Sequence, residues 1–324
     1  MAALVETVRG PLEVKLLGPT LMHEHIFVLS TEIQQNYPQT WGDEEARVND
    51  AVTRLNELQA AGVTSLVDLT VLGLGRSISR IARVAEQTNL NIIVATGLYT
   101  YNDLPQFFQY RRPRRSIHGK DVLTSFFVDD ITKGIANTTV KAAILKCATD
   151  VQGMTPDVER VIRAVARAHH ATGVPISTHT HAASRSGLDQ QRILLEEGVD
   201  LNKVIIGHCG DTTDLTYLRI LMEHGSTIGM DRFGIESILS FEDRIETVVR
   251  LCAEGYSEKM VLSHDAACHN DWLEDDVIRR TGSNWNYLHI TKDVIPALRQ
   301  RGVTEAQIGT MMVDNPLRLL SRVR

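Results

Sequence analysis

The sequence predicts one (β/α)8 barrel with its chemistry at the C-terminal ends of the strands, and three observations predict it. Eight short apolar runs recur along the chain, near residues 20–26, 64–70, 91–97, 142–147, 175–180, 203–208, 226–231 and 259–264. The stretches between them are helical in period, and several end in glycine shortly before the next run, as at Gly62, Gly173, Gly198, Gly225 and Gly255. A helix C-cap commonly takes the left-handed conformation that suits glycine, so this rhythm marks helix-to-strand alternation and a parallel sheet. Five of the runs stop at a residue able to bind a metal, and a barrel gathers such strand ends on one face. A length of 324 residues accommodates one barrel with insertions, and no Pro/Gly/Ser-rich linker cuts the chain, so residues 1–324 read as a single domain. A doubly wound open sheet is the rival, but it collects ligands at a switch point and not from strands all around the order.

The first run, Thr20-Leu21-Met22, leads into His23-Glu24-His25. Residues two apart in a strand share a face, so His23 and His25 can grip one ion, while Glu24 points the other way in a structural role. Such a pair alone is equally explained by two histidines satisfied by hydrogen bonds; its recurrence at equivalent strand ends is what favours a metal. Ala143-Ile144-Leu145-Lys146 ends in a lysine. A cation there would ordinarily seek a carboxylate, but beside divalent ions a bare ammonium is repelled, which points to chemical modification. Thr155-Pro156-Asp157 carries a helix-start signature, with threonine as N-cap and proline at the first helical position. Pro175-Ile176-Ser177-Thr178 runs into His179, and His181 falls in the loop beyond. Val204-Ile205-Ile206-Gly207 ends at His208, and Met260-Val261-Leu262-Ser263-His264 at Asp265, whose carboxylate could bind metal and accept a proton from water. Imidazole ligands suit zinc, cobalt, iron or nickel, so the donor set does not name the metal.

Composition narrows the partners. The chain is 43% hydrophobic and 23% charged, with a net charge of 34 − 40 = −6. The one basic cluster, Arg111-Arg112-Pro113-Arg114-Arg115, reads as a solvated loop, since nucleic-acid binding needs a wider basic face. The N-terminus lacks a signal-peptide pattern and no run approaches the roughly 20 apolar residues of a membrane span, so neither nucleic acid nor membrane is an expected partner. Cys147, Cys209, Cys252 and Cys268 are scattered, which suits a reducing compartment and a cytoplasmic location.

At these residues the chain resembles the phosphotriesterase family of the amidohydrolase superfamily, and within it the phosphotriesterase-like lactonases, in particular actinobacterial N-acyl-homoserine lactonases. The resemblance runs from Gly18-Pro19-Thr20-Leu21-Met22-His23-Glu24-His25 to Asp314-Asn315-Pro316. It passes through Thr96-Gly97-Leu98-Tyr99-Thr100-Tyr101, Gly187-Leu188-Asp189-Gln190-Gln191-Arg192-Ile193, Gly207-His208-Cys209-Gly210-Asp211 and Ser263-His264-Asp265. It implies a binuclear centre of zinc, cobalt or iron. His23, His25 and Asp265 would bind the buried ion, His179 and His208 the exposed one, and a CO2-derived carbamate on Lys146 would bridge both. A carbamate is an anion, so it removes the charge problem at Lys146. His181 has no counterpart in the family motif.

The resemblance also implies substrate and mechanism. True phosphotriesterases carry a histidine where this chain has Arg232, so their proton relay does not transfer. The stretch from Ala266 to Trp285 is similar to the extended lactonase loop, and Trp272 matches a tryptophan lining the acyl channel. Ala266 and Ala267 stand where the family usually has bulkier residues or cysteine. Water shared by two divalent ions becomes a nucleophile near neutral pH. Asp265 would take up its proton, and Tyr99 would hydrogen-bond the nucleophile or the lactone. Tyr101, Arg232, Phe233, Trp272 and Trp285 would line the substrate, with Arg232 equally able to form a plain ion pair. The expected activity is hydrolysis of N-acyl-homoserine lactones (quorum quenching) by a homodimer, with side activity on organophosphate triesters. A dedicated phosphotriesterase or arylesterase, and a non-catalytic binding barrel, are the alternatives.

Overall fold

Alternation along short strands decides which side chains reach the barrel axis. The structure is a computed structural model describing residues 3–112, 121–274, 277, 280 and 284–321. Eight strands form one parallel sheet in chain order: β1 Thr20–Glu24, β2 Ser65–Asp68, β3 Asn91–Gly97, β4 Ile144–Ala148, β5 Ile176–His179, β6 Val204–Ile206, β7 Thr227–Met230 and β8 Met260–Leu262. Each lies within or overlaps its expected run, trimmed where the chain turns into the loops. The seam between β8 and β1 is held by residues just past the end of β8. There the His23 N–H donates to Ser263 Oγ (2.9 Å), the Asp265 N–H to His23 O (3.1 Å) and the His25 N–H to Ala266 O (2.9 Å). The sheet is thereby closed into the expected barrel.

Two apolar layers result. Met22, Val67, Ile93, Ala95, Ile144, Ile205 and Val261 fill the interior, while Leu21, Leu66, Ile92, Leu145, Ile176, Ile206 and Leu262 face the surrounding helices. Val5, Val14, Leu17, Leu319 and Leu320 join the inner layer, so the N-terminal hairpin (Leu4–Thr7 with Gly10–Glu13) and the final helix plug one end. The helices begin and end as their residues dictate. Thr155 caps Pro156–Thr172 by accepting from the Val158 N–H, with Pro156 in the first turn, and Gly173 closes the helix at φ 71°.

Two departures from strict alternation matter for function. Leu21 packs outward and Met22 inward, which by parity would turn His23 outward. The register shifts here: Leu21 pairs with Leu66 and Glu24 with Asp68, so Met22 and His23 together oppose Val67. This bulge returns His23 to the interior. In β6, Ile205 faces inward and Ile206 outward, so His208 would also point away, but its backbone turns back at φ 61°.

The loop after β8 is anchored near its start. His269–Asn270 pairs in parallel with Phe27–Val28, and Asp271 accepts from the Ser30 N–H (2.6 Å). Of the basic cluster, Arg112 pairs with Asp157 at 2.6 Å; Pro113, Arg114 and Arg115 lie outside the described residues. No helix among the described residues is long and apolar enough to cross a membrane.

Gly97 ends β3 at φ 149°, where an added Cβ would lie 1.9 Å from Lys146 O. We expect Gly97→Ala to shift the backbone that carries Lys146 and to cost about 2–3 kcal/mol, within the range of overpacking. Urea unfolding checks this, and an unchanged midpoint would contradict it.

Candidate metal centre

The strand ends bring the expected donors to one buried point. Asp265 Oδ1 lies 3.1 Å from His25 Nε2 and 3.4 Å from His23 Nε2, and these three groups converge closely enough to hold one ion. Beside them His208 Nε2 stands 2.8 Å from His179 Nδ1. Lys146 Nζ reaches His23 Nε2 at 2.9 Å, beside the first of these groups.

An imidazole binds metal through an unprotonated nitrogen, so the partner of the other nitrogen decides whether it can. His25 Nδ1 meets Thr70 Oγ1 at 2.8 Å, and the Thr70 N–H is in turn held by Asp68 Oδ1 at 2.9 Å. His179 Nε2 meets Asp150 Oδ2 at 2.9 Å. His23 Nδ1 and His208 Nδ1 both meet Asp231, at 2.7 and 3.0 Å. A proton on that outer nitrogen leaves the ring's other lone pair turned to the centre. Burial lowers the pKa of His23 and His208, and takes His179 down to about 3, which favours the neutral form of these three rings. The 2.8 Å between His208 Nε2 and His179 Nδ1 suits either one proton shared by the two rings or two lone pairs turned to a common cation. The donor set therefore fits divalent ions.

Lys146 forms no ion pair with a carboxylate among the described residues; its recorded contacts are His23 Nε2 and, at 3.4 Å, Thr178 O. Burial lowers its pKa to about 8, which raises the fraction of free amine. Burial disfavours charge on Asp265, but His23, His208, His25 and Arg232 outweigh it and hold the carboxyl well below its ordinary range. Asp265 and His208 both sit at left-handed φ, 56° and 61°, a strain on the order of 1–3 kcal/mol each that the surrounding hydrogen bonds hold in place. Trp285 contributes to this, since its indole N–H donates to the carbonyls of His264 (2.9 Å) and Asp265 (3.1 Å).

The centre opens into a cavity of about 360 Å³ whose floor is His23, His25, Lys146 and Asp265. Tyr99, Tyr101, Arg232, Trp272 and Trp285 line it, with Leu74, Ile235, Ile238 and Leu273 adding apolar wall. Tyr99 OH lies 3.4 Å from His179 Nδ1 and pairs with Tyr101 OH. Burial raises the pKa of both phenols, Tyr101 to about 12, so they remain donors. Trp272 sits at the lip, 44% exposed, its ring 5.8 Å from that of Tyr99. Arg232 forms the ion pairs that its type allows, Nε to Asp265 Oδ2 and Nη1 to Asp211 Oδ2, both 3.0 Å.

Three placements qualify the sequence reading. Phe233, expected against substrate, is only 1% exposed and packs in the helix-side core, because the chain turns away after Arg232. His181 lies outside the cluster, with Nδ1 against Ser184 Oγ at 3.0 Å. Glu24 is buried behind the centre, where it accepts from the N–H groups of His264 (2.8 Å) and Ala266 (2.9 Å). His264 Nε2 accepts from the Ile290 N–H (2.9 Å), so His264 Nδ1–H donates to Glu24 (2.7 Å). Sequence reading missed the outer partners Thr70, Asp150, Asp211 and Asp231. Only Asp231 carried a signal, as a carboxylate at the end of the run near 226–231.

Comparison with known proteins agrees with this geometry. The model of the phosphotriesterase family matches residues 3–320. The chain belongs to the phosphotriesterase family. A relative from Mycobacterium tuberculosis named phosphotriesterase homology protein is 59% identical over 318 residues, covering 98% of each chain. An aryldialkylphosphatase from Saccharolobus solfataricus is 41% identical over 315 residues, covering 97% of this chain and 98% of the relative. The solved phosphotriesterase structure from M. tuberculosis superposes with a TM-score of 0.96 over 98% of both chains, at 59% identity. As a family member the protein is a hydrolase, and the family's binuclear metal chemistry matches the donors gathered here.

Thr70→Val removes the hydroxyl that holds His25 while keeping its shape. We expect zinc affinity to fall about tenfold, the usual scale for an outer-shell partner, with the fold unchanged by circular dichroism. Unaltered zinc binding would remove Thr70 from the centre.

Proposed function

We propose that the protein is a metal-dependent lactonase acting on N-acyl-homoserine lactones, with side activity on organophosphate triesters. The observation that carries this reading is the composition of the cavity: a polar floor of metal donors continuing into an apolar wall of Trp272, Ile235, Ile238 and Leu273. A lactone ring suits the floor and a flexible acyl chain suits the wall. His23, His25 and Asp265 would hold one ion and His179 and His208 the other, with Lys146, as its carbamate, shared between them. Zinc, cobalt and iron all suit these ligands. When bound, such ions acidify water into a nucleophile and polarise an ester carbonyl.

The chain's own groups supply the rest. The Tyr99 hydroxyl faces the centre and donates to the substrate oxygen. Asp265 turns Oδ1 to His23 and His25 and Oδ2 to Arg232, so it can accept the proton of the attacking water and deliver it to the leaving alkoxide. Arg232 cannot relay that proton, because a guanidinium has no acceptor and stays charged between Asp265 and Asp211. Its role is to fix the Asp265 carboxylate. The apolar wall comes from loops, which tune substrate choice while the strand ends keep the donors in place. A homodimer acting in the cytoplasm completes the proposal, and sedimentation would measure its mass.

The name aryldialkylphosphatase on a 41% identical relative favours a second reading, a dedicated phosphotriesterase on the same centre. One experiment separates the two. The metal-loaded protein is given homoserine lactones of several acyl lengths and an aryl phosphotriester, with ring opening followed by acid release. We expect kcat/KM to be higher on the lactones; a preference for the phosphotriester would sink the lactonase reading. Trp272→Ala should raise KM for long acyl chains more than for short ones, and equal effects at every length would make Trp272 structural.

Lys146→Ala should lose metal and most activity yet stay folded, since Lys146, though buried in β4, forms no ion pair among the described residues whose loss would leave a carboxylate unpaired. Partial rescue by added short carboxylic acids would support the carbamate. Retention of two ions and normal turnover would end the bridging assignment.

A further inference from the structure

Asp231 follows β7 and is buried within the barrel, one residue before Arg232. Its two oxygens are used differently. Oδ2 meets one group, His23 Nδ1 at 2.7 Å. Oδ1 meets two groups of His208, the backbone N–H at 2.7 Å and Nδ1 at 3.0 Å. Space is reserved for the carboxylate by two glycines. A Cβ on Gly229 would lie 2.3 Å from Oδ2, and one on Gly207 3.2 Å from it. The two imidazoles it touches are stacked, with centroids 4.8 Å apart and planes 26° from parallel.

The rings belong to different halves of the centre. His23 Nε2 lies toward His25 and Asp265, whereas His208 Nε2 lies toward His179. His23, His208 and Asp231 also converge closely enough to be considered as a metal group in their own right. The contacts argue otherwise, because the oxygens of Asp231 sit at hydrogen-bond distance from the Nδ1 atoms and from a backbone donor.

We infer that Asp231 is a positioning residue that fixes the proton of one histidine ligand in each half of the centre, so that one buried carboxylate makes both halves competent to bind. This rests on the two-ion reading. It acts through the imidazoles and touches neither substrate nor reacting atoms.

The asymmetry of its oxygens gives a test that a merely structural role would not meet. An amide offers one acceptor oxygen and one NH2 donor. In Asp231→Asn the oxygen is expected on the His208 side, where two donors await it, leaving the NH2 against His23 Nδ1. His23 must then accept there and carry its proton on Nε2, which blocks it as a ligand. Asp231→Ala removes both acceptors.

The measurements are 15N NMR of the imidazoles in the metal-free protein and zinc titration against a chelating dye. In the wild type, both His23 and His208 should carry the proton on Nδ1. In Asp231→Asn, His208 should keep it there and His23 should move it to Nε2. One of the two zinc ions should then weaken about 10–100-fold, and both should weaken in Asp231→Ala. Asp150→Asn, whose carboxylate meets His179 but neither His23 nor His208, should leave the protons of those two rings in place. A wild-type proton on Nε2 of either ring overturns the proposal, even if the variants fail to fold. An unmoved His23 in a folded Asp231→Asn overturns it too. A wild type that takes up fewer than two zinc ions defeats the two-ion reading and with it the two-sided role, whereas two ions with an unmoved His23 defeat the role of Asp231 alone.

Discussion

The placement of four imidazole protons is the constraint from which the rest of the site follows. A buried histidine offers its lone pair to a metal only if the other nitrogen is protonated and that proton has an acceptor. Here each acceptor is built into the wall behind the ring: Thr70 for His25, Asp150 for His179, and Asp231 for both His23 and His208. These partners come from the ends of β2, β4 and β7, each next to a strand that carries a candidate ligand, and Asp231 also reaches across β8 to His23 on β1. A loop-borne site would have to hold the same geometry on backbone with fewer fixed contacts.

Charge in the barrel mouth is arranged by the same logic of pairing. Asp265, Arg232, Asp211 and Arg244 form a chain of alternating sign, linked at 3.0, 3.0 and 2.8 Å. Arg244 is fully buried and also donates to the carbonyls of Gly210, Leu239 and Ile235. The loop after β7, which lends Ile235 and Ile238 to the cavity wall, is therefore tied to the Asp265 carboxylate. Trp285 ties the far end of the β8 loop to the same place through the carbonyls of His264 and Asp265. Binding surface and chemical centre thus share one rigid support, while Trp272 at the lip remains half exposed.

Behind the site, Glu24 shows how a residue between two candidate ligands serves the fold. Burial raises its pKa, and the N–H groups of Ala266 and His264 pull the other way. Its neighbours are all donors, since the Ile290 N–H forces the His264 proton onto Nδ1. The seam between the first and last strands is thereby fastened on both sides of the sheet, inward at Ser263 and outward at Glu24.

Much of this was legible in the sequence because it depends on local pattern. Apolar runs, helix-ending glycines and polar strand ends are consequences of burial and backbone geometry, and they determined the barrel, its eight strands and the donors at its mouth. Parity alone, however, would have turned His23 and His208 away from the centre. Only the folded chain decides otherwise, through a bulge opposite Val67 and a left-handed backbone at His208, because both depend on register with a neighbouring strand. Thr70, Asp150 and Asp211 were invisible as partners, and Asp231 showed only as a carboxylate ending a run, since a hydrogen bond between residues as distant as His23 and Asp231 leaves no spacing to read. Phe233 shows the converse: its neighbour Arg232 faces the cavity, and a single turn of the chain after β7 sends the aromatic ring into the core. The sequence determined which chemistry could assemble; the tertiary structure decided which atoms face each other, because that depends on strand register and on side chains brought together across the barrel.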